Sequence, residues 1–388
     1  MATTQPQPAA DRVHQPGRKL EQFWRRVTQG LEVQQLWSQF EKEARSSYKL
    51  YSAELASDKT ESQIRNPFFR KAGILFWAIL EKLTPARRVL LLLGLILLLF
   101  PSGGFTYQDK SGDVHIAELD THVYGGLVLF LVLMLEVADR VVMKRDLEIA
   151  REIQQWLLPG VAPQIPGIQI AYITRPANTV AGDYYDIFPR PGATPADDRL
   201  LIAVADVAGK SIPAAMLMAT FQASLKTLSS TRTALPDLVK GMNTYACGNS
   251  SGGLRFTTAF LAEYDPATRT LVYINAGHNQ PILRRATGGI ERLDRGGLPL
   301  GILPAATYEA GTVTLNAGDW LFIFTDGLVE AVNVKGEEYG EDRFRLVVER
   351  NAANAPDALL QATLGDLDVF VGNTPQHDDV TCLFLETV

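Results

Sequence analysis

Three apolar segments in the second half of the chain begin or end at aspartate residues. LLIAVAD ends at Asp206, WLFIFTDG carries Asp326 at its end, and DDVTCLFL begins with Asp378 and Asp379. A strand that is apolar along its whole length is typically buried on both faces of its sheet. We therefore expect strand ends that converge and bring these carboxylates close to one another.

Converging carboxylates predict a site for hard metal ions. Isolated buried carboxylates are costly, and like charges raise one another's pKa. A further acid, Asp183 in VAGDYYDIF, comes before an aromatic-rich strand. An Asp-Gly pair alone is most often a turn, but three strand ends with the same feature weaken that interpretation. An all-oxygen ligand set suits Mg²⁺ or Mn²⁺ better than zinc, and such ions support phosphoryl chemistry.

Composition excludes several other classes of protein. Hydrophobic residues make up 46% of the chain and charged residues 21%, which excludes wholesale disorder. The net charge of −6 argues against a nucleic-acid binder, which would normally carry a basic surplus. The two cysteines cannot form a disulfide scaffold or a four-cysteine metal site. The chain contains no P-loop, which argues against a nucleotide-hydrolysing motor.

Residues 159–388 have the pattern of an α+β domain. Short β-rich segments are grouped before and after helical ones, with hairpin-like spacing, which favours antiparallel sheets. The predicted strands are residues 168–174, 200–206, 257–264, 270–275, 280–285, 312–315, 319–325 and 379–386. The predicted helices are residues 212–229, 235–247, 341–350 and 356–371.

At this point the motifs resemble a known family. Residues 147–388 resemble the SpoIIE/RsbU type of bacterial metal-dependent protein serine/threonine phosphatase, a branch of the PPM (type 2C) class. The segments that carry the resemblance, in the family's order, are LEIAREIQQWLLP, VAGDYYDIF, LLIAVADVAGKSIPAAMLMA, RFTTAFLAEYD, YINAGHNQPIL, GGLPLGI, GDWLFIFTDGLVEAVNVKGEEYGEDRF and HDDVTCLFL.

The resemblance implies a fold, an activity and a set of site residues. The fold would be an α-β-β-α sandwich of two antiparallel sheets. Two Mn²⁺ or Mg²⁺ ions would activate a water that attacks phosphoserine or phosphothreonine. The implied metal-binding residues are Asp183, Asp206, Val207 through its backbone carbonyl, Asp326, Asp378 and Asp379, with Asp378 preferred to Asp379. Of these, Asp206, Asp326 and Asp378 would be the catalytic residues.

The chain departs from the family at two small residues, Ala181 and Ser211, where glycine is usual. Both are small, and we expect the geometry to survive. His278 is interpreted as a turn-stabilising residue rather than a catalyst, and Lys210 as a solvated loop lysine rather than a phosphate ligand. The Arg and His that assist eukaryotic type 2C enzymes have no evident match, as is usual in the bacterial branch.

Two apolar segments before this domain predict a membrane hairpin over residues 87–138. Residues 89–100 contain no polar side chain, and residues 122–138 contain a single charge, Glu136. A bilayer span needs about 20 predominantly apolar residues, so both segments are short. Basic residues outside both segments place the two termini in the cytoplasm under the positive-inside rule. The alternative is a pair of buried helices in a soluble core.

The remaining N-terminal segments are predicted as a tail, a helical region and a linker. Residues 1–19 are polar and predicted to be disordered, and residues 20–86 form a cytoplasmic helical region with an amphipathic helix over 20–55. Residues 139–158 continue the second apolar segment without Pro or Gly, which predicts a helical linker that ends near Pro159. The linker permits a homodimer through a coiled coil but does not demand one.

Two other functions compete with a phosphatase anchored in the inner membrane. The family commonly acts on a phosphorylated STAS-type anti-sigma-factor antagonist, which the resemblance implies as the substrate. A non-catalytic module that binds the same phosphoprotein is the first alternative, and the complete set of acids argues against it. A membrane-anchored cyclase is the second, disfavoured by the absence of a GG-D/E-E-F sequence and by the DDVT segment.

Overall fold

The computed structural model describes residues 76–77, 80–100, 103–108, 114–160, 163, 165–190, 199–231, 233–249 and 255–388. The chain divides into two compact units, Met1–Asp139 and Arg140–Val388. The predicted disordered tail and amphipathic helix of residues 1–55 lie outside the described residues.

The described part of the first unit includes two helices separated by a pair of strands. In chain order these are α1 (Pro85–Leu99), β1 (Gly103–Gln108), β2 (Val114–Leu119) and α2 (Thr121–Leu157). The strands pair in antiparallel register, so the segment between the two predicted membrane spans contains a β-hairpin. Helix α2 begins in this unit, covers the predicted linker and ends just before Pro159.

Glycines allow α1 and the first part of α2 to pack closely. A Cβ atom added at Gly125 would lie 2.9 Å from the carbonyl oxygen of Gly94, and one added at Gly94 would lie 2.7 Å from Leu129 Cδ2. Near the start of α1, Arg87 Nη1 lies 3.2 Å from Glu136 Oε2 and 2.6 Å from Asp139 Oδ2. Close backbone approach and these ion pairs hold the two helices together.

The predicted pair of membrane spans is not found. Among the residues that the structure describes, no helix is both long enough and apolar enough to cross a bilayer. Helix α1 has 15 residues, fewer than the roughly 20 that a span needs.

The second unit contains two sheets built from eleven strands among its described residues. The first sheet comprises β4 (Tyr184–Arg190), β5 (Arg199–Val207), β6 (Thr257–Asp265), β7 (Thr270–Ala276), β10 (Gly296–Gly297) and β11 (Gly311–Thr314). The second comprises β3 (Ile168–Arg175), β8 (Ile282–Arg284), β9 (Ile290–Arg292), β12 (Trp320–Phe324) and β13 (Val380–Thr387). All strand pairs are antiparallel except β10 with β7.

Helices cover the outer faces of both sheets. The first sheet packs against α3 (Ser211–Ser229) and α4 (Leu235–Asn249). The second packs against α6 (Glu341–Asn351) and α7 (Pro356–Val371), which follow the short helix α5 (Asp326–Val329). The inner faces of the two sheets share one core. This is the α-β-β-α sandwich that the resemblance implies, and that prediction is confirmed.

Burial on both faces explains why the central strands read as continuous apolar segments. In β5, Ile202 and Val204 face the core between the sheets, whereas Leu201 and Ala203 face the helices. A strand covered on both sides has no solvent face, so the alternation of apolar and polar residues disappears.

Most of the predicted strands and helices are found, with ends shifted by a few residues. Five elements were missed: the hairpin strands β1 and β2, the strands β9 and β10, and the one-turn helix α5. These elements are short, with two to six residues each.

Candidate active site

The predicted acids lie at the strand ends from which they were expected to converge. Asp206 is the second-last residue of β5, and Asp326 follows β12 as the first residue of α5. Asp378 and Asp379 come directly before β13, and Asp183 directly before β4. The first sheet therefore contributes Asp183 and Asp206, and the second contributes the other three.

These carboxylates interact across the boundary between the sheets. Burial and the neighbouring carboxylates, Asp326 first and then Asp378 and Asp379, raise the pKa of Asp206 to about 7, while a hydrogen bond with Asp183 acts in the opposite direction. Burial and Asp378 also raise the pKa of Asp326. Mutual repulsion of this kind is the expected property of a cation site, because a bound cation relieves it.

Asp183 is the most deeply buried of the five. Its exposed fraction is 2%, and burial together with Asp206 raises its pKa well above the ordinary value. Thr325 Oγ1, at the end of β12, donates a hydrogen bond of 2.8 Å to Asp183 Oδ2. The same hydroxyl accepts the backbone N–H of Thr381 at 3.0 Å. Thr325 therefore connects the acid of the first sheet to two strands of the second.

The adjacent acids Asp378 and Asp379 have different partners. Both carboxylate oxygens of Asp379 accept backbone N–H groups, from Ala177 at 2.7 Å and from Gly182 at 2.6 Å. Asp378 is half-exposed, and its Oδ2 lies 3.1 Å from Lys210 Nζ. Asp379 thus fixes the loop before Asp183, whereas Asp378 faces outward with a cationic neighbour. Lys210 is ion-paired, which the interpretation as a solvated loop lysine did not foresee.

Two glycines permit the close backbone contacts around the acids. A Cβ atom added at Gly327 would lie 2.0 Å from the carbonyl oxygen of Asp379, which only glycine can avoid. A Cβ atom at Gly182 would lie 3.2 Å from the carbonyl oxygen of Val207 and 3.8 Å from Asp379 Oδ2. The Val207 carbonyl, a predicted metal ligand, therefore lies beside the Gly182 loop.

The two departures from the family have distinct structural settings. Ser211 begins α3 with a φ of 61°, in the left-handed region that favours glycine. Ala181 is buried, and its backbone forms two hydrogen bonds with the side chain of Gln154 on α2. Gln154 Nε2 donates to the Ala181 carbonyl at 2.7 Å, and its Oε1 accepts the Ala181 N–H at 3.0 Å.

The donor set fits Mg²⁺ or Mn²⁺ in chemistry, but the side chains are not gathered around a common point. Within the described residues, no three acidic, histidine or cysteine side chains lie close enough together to hold a metal ion as they stand. Asp326, Asp378 and Asp379 nevertheless raise the pKa of Asp206, and all of these acids offer oxygen. In the chemistry of their oxygen donors, the residues present therefore fit a hard cation.

Three residues that serve the site were not identified from the sequence. Gln154 and Thr325 fix the backbone and the carboxylate of the loop around Asp183, and Thr258 lies opposite Asp206 in the pairing of β5 with β6. One signal could have found Thr325, because it is a polar residue that ends an apolar strand just before an acid. Asp186, the second acid of VAGDYYDIF, instead pairs with Lys226 at 2.6 Å and accepts a hydrogen bond from the Tyr184 hydroxyl.

Comparison with known proteins gives consistent matches to the second unit. Residues 196–388 match the family model described as stage II sporulation protein E (SpoIIE). Protein IcfG from Synechocystis sp. is 27% identical over 267 residues, which cover 61% of this chain and 41% of IcfG. Phosphoserine phosphatase RsbU from Bacillus subtilis is 28% identical over 243 residues, which cover 62% of this chain and 70% of RsbU.

Among solved structures, the SiaA-PP2C domain of Pseudomonas aeruginosa has the same fold. It superposes with a TM-score of 0.56 at 21% identity, and the match covers 65% of this chain and 99% of that domain. The match spans about two fifths of the length of IcfG, so the similarity concerns only part of that relative.

Proposed function

The second unit of this chain is a SpoIIE-type serine/threonine phosphatase domain of the PP2C class, and from this premise we propose that the protein hydrolyses phosphoserine or phosphothreonine in a protein substrate with the help of two Mn²⁺ or Mg²⁺ ions. The observation that carries this proposal is the position of Asp206, Asp326 and Asp378 at strand ends of the two sheets, where Asp326 and Asp378 raise the pKa of Asp206. It brings acids of both sheets into one electrostatic cluster.

In this proposal each acid has a separate role. Asp206, Asp326, Asp378 and the Val207 carbonyl would hold the ions. Asp378 is preferred to Asp379 because both oxygens of Asp379 already accept backbone N–H groups. Asp183, oriented by Thr325, would be a ligand or hold a water of the metal site. When bound, such ions lower the pKa of a water and neutralise charge on the phosphoryl oxygens.

The experiment is a phosphate-release assay on the full-length chain. We expect release from a phosphoserine protein in Mn²⁺ or Mg²⁺, and none after the metal is removed with EDTA. A chain that binds the phosphoprotein without turning it over in either metal would instead support the non-catalytic binding module. One observation favours that alternative: among the described residues, no three acidic, histidine or cysteine side chains lie close enough together to hold a metal ion.

For the substrate, we propose a phosphorylated STAS-type anti-sigma-factor antagonist. The similarity to the phosphoserine phosphatase RsbU supports a phosphoserine protein as the class of substrate. The test is to offer each phosphorylated STAS protein of the host separately and to compare the values of kcat/KM. A uniformly low value across the set would reject this substrate class while leaving the phosphatase activity itself intact.

A cleft beside the acids offers room for the segment that carries the phosphoserine. It has a volume of about 360 Å³ and is lined by Lys210, Gly327 and Asp378 on the side of the acids, and by Leu367 and Val371 of α7 on the other. We expect the Val371→Arg variant to raise the KM for a phosphoprotein about tenfold, since the longer charged side chain fills the cleft.

The matched control for this prediction is Val369→Arg. Val369 lies on the same helix, but its side chain is 80% exposed and does not line the cleft. Both variants should hydrolyse p-nitrophenyl phosphate like the wild type, because this ester needs only the acids. Equal KM values of the two variants for the phosphoprotein would exclude the cleft as the docking site.

The contact between Gln154 and Ala181 supports control of the site through the linker helix. Gln154 on α2 holds the backbone next to Gly182 and Asp183. We expect Gln154→Ala to lower the free energy of unfolding by about 1–3 kcal/mol, because two buried backbone groups lose their partner, and to lower kcat as the loop loosens. The exposed neighbour Gln155 gives the matched control, Gln155→Ala. Urea denaturation and steady-state kinetics measure both effects.

We further propose that the protein lies at the inner membrane with both termini in the cytoplasm. In this proposal the linker forms a dimer, and signals reach the phosphatase domain through α2. The exposed apolar side chains of α1 and of the first part of α2, including Val89, Leu99 and Leu127, support contact with lipid. Prolines introduced near Glu148 should abolish regulated activity in membranes. Flotation with liposomes tests the localisation, and sedimentation analysis tests the dimer.

A further inference from the structure

His278 is a buried histidine beside the site, and the proposed function has not yet given it a role. It follows β7, and its side chain lies in the protein interior with an exposed fraction of 6%. The backbone N–H of His278 donates to Asn275 Oδ1 at 2.7 Å. Gly277 between them has a φ of +70° and contacts Pro299, where an added Cβ would lie 2.4 Å from the proline Cγ. The turn therefore fixes where the imidazole is placed.

One ring nitrogen connects His278 to the strand of Asp206. His278 Nδ1 lies 3.1 Å from Thr258 Oγ1. Thr258 is the cross-strand partner of Asp206 in the pairing of β5 with β6, and its hydroxyl lies 3.5 Å from the Asp206 carbonyl oxygen. A chain of polar groups thus runs from the imidazole through Thr258 to the backbone of Asp206.

The other side of the ring faces the strand of Asp326. Burial lowers the pKa of His278 to about 4, whereas the backbone of Phe324 in β12 raises it. The Phe324 backbone therefore lies beside the ring. Phe324 precedes Asp326 by two residues. Among the described residues, no group makes a hydrogen bond of ordinary geometry with the buried Nε2. The imidazole is therefore neutral and lies between the two strands that end at Asp206 and Asp326.

We propose that His278 is a positioning residue that sets the separation of Asp206 and Asp326 through its hydrogen bond to Thr258. This proposal rests on the proposed function, in which these two acids bind the metal ions. A turn-stabilising histidine would need only its backbone N–H, which donates to Asn275. A buried imidazole bonded to the cross-strand partner of a metal-binding acid has a further consequence, because such outer partners orient the ligands.

The test compares variants that keep or remove the bond between Nδ1 and Thr258. Thr258→Val removes one hydroxyl at nearly constant volume, and Thr258→Ser restores it. His278→Asn places an amide nitrogen near the position of Nδ1, whereas His278→Gln places one near Nε2. Binding of Mn²⁺ to the full-length chain is measured by calorimetry without substrate, and circular dichroism checks that each variant is folded.

We expect Thr258→Val and His278→Gln to weaken Mn²⁺ binding about tenfold or more, the lower end of the range for outer partners of metal ligands. Thr258→Ser and His278→Asn should stay within about threefold of the wild type. The double variant Thr258→Val/His278→Gln should bind Mn²⁺ no more weakly than either single variant, because both remove the same bond. The KM for phosphoprotein at saturating Mn²⁺ should be unchanged.

Wild-type Mn²⁺ affinity in folded Thr258→Val would overturn the proposal, and so would equal losses in His278→Asn and His278→Gln. If the His278 variants fail to fold, the comparison of Thr258→Val with Thr258→Ser decides the question alone. Failure of the proposed function has a different result: the wild type would bind Mn²⁺ with the expected ranking of variants but release no phosphate.

Discussion

The Asp206→Asn variant is expected to lose phosphate release by more than about 100-fold while keeping its fold. The substitution retains the size of the side chain but removes the charge that interacts with the acids of both sheets. Loss of a residue that merely orients a metal ligand costs about 10–100-fold in affinity or activity, so loss of a ligand should cost more. The assay is phosphate release at saturating Mn²⁺, and Asp342→Asn, at a fully exposed side chain, is the control.

The same variant should be more stable than the wild type when metal is absent, in a pH-dependent way. The pKa of Asp206 is raised from an ordinary value of 3.8 to about 7 in the folded state, so the folded protein binds this proton more tightly than the unfolded one. The free energy of unfolding therefore falls as the pH rises from about 4 to about 7. Asn at this position does not titrate, so the variant does not lose this part of its free energy of unfolding as the pH rises.

Thermal unfolding in EDTA measures this difference. We expect a higher Tm for Asp206→Asn than for the wild type at pH 8, and a difference that shrinks towards pH 4. Adding Mn²⁺ should reverse the order at pH 8, because binding to the folded state stabilises the wild type. An Asp206→Asn variant that is active, or whose Tm at pH 8 is no higher than that of the wild type, would argue against a crowded cluster of acids around Asp206.

Gly327→Ala is expected to destabilise the protein by about 3 kcal/mol or more and to abolish activity. A Cβ atom here would lie 2.0 Å from the carbonyl oxygen of Asp379, so the backbone of α5 or of β13 has to move. Overpacking in a well-packed interior typically costs about 1–3 kcal/mol, and a backbone collision lies at the upper end of that range. The displaced segments carry Asp326 and Asp378, which links stability to activity.

Gly365→Ala supplies the matched control. Gly365 lies inside α7, and an added Cβ would meet nothing within 4 Å. Alanine in a helix is favoured over glycine by roughly 0.5–1 kcal/mol, so this variant should be slightly more stable. Urea denaturation measures both variants. Similar stabilities of Gly327→Ala and the wild type would mean that the close contact with β13 is absent in solution.

The central strands and their acids could be predicted from the sequence because the signal is local. Strands β5, β12 and β13 are apolar on both faces, and each has an aspartate at the end that belongs to the site. The major helices also carry their own periodic pattern. By contrast, β9 has three residues and pairs with its neighbour β8, and β10 has two residues and pairs with β7. Segments this short contain too few residues to show a periodic pattern.

Within the site, the sequence could not separate the roles of adjacent acids. Asp378 and Asp379 have the same chemistry and differ by one position. The carboxylate of Asp379 accepts hydrogen bonds from the backbone of Ala177 and Gly182, about 200 residues earlier in the chain. No local sequence pattern predicts that contact. The hydrogen bonds between Gln154 and Ala181 were also missed, because a glutamine on a helix is most often solvated.

The distance along the chain between these partners has a consequence for biosynthesis. The contact of Gly182 with Asp379 spans 197 residues, and that of Thr325 with Asp183 spans 142. On the ribosome, the first sheet and its helices are complete well before β13 is translated. A nascent chain can therefore acquire much of its tertiary structure before its set of acids is complete. Under the proposed function, hydrolysis would begin only when the closing strand has been made and docked.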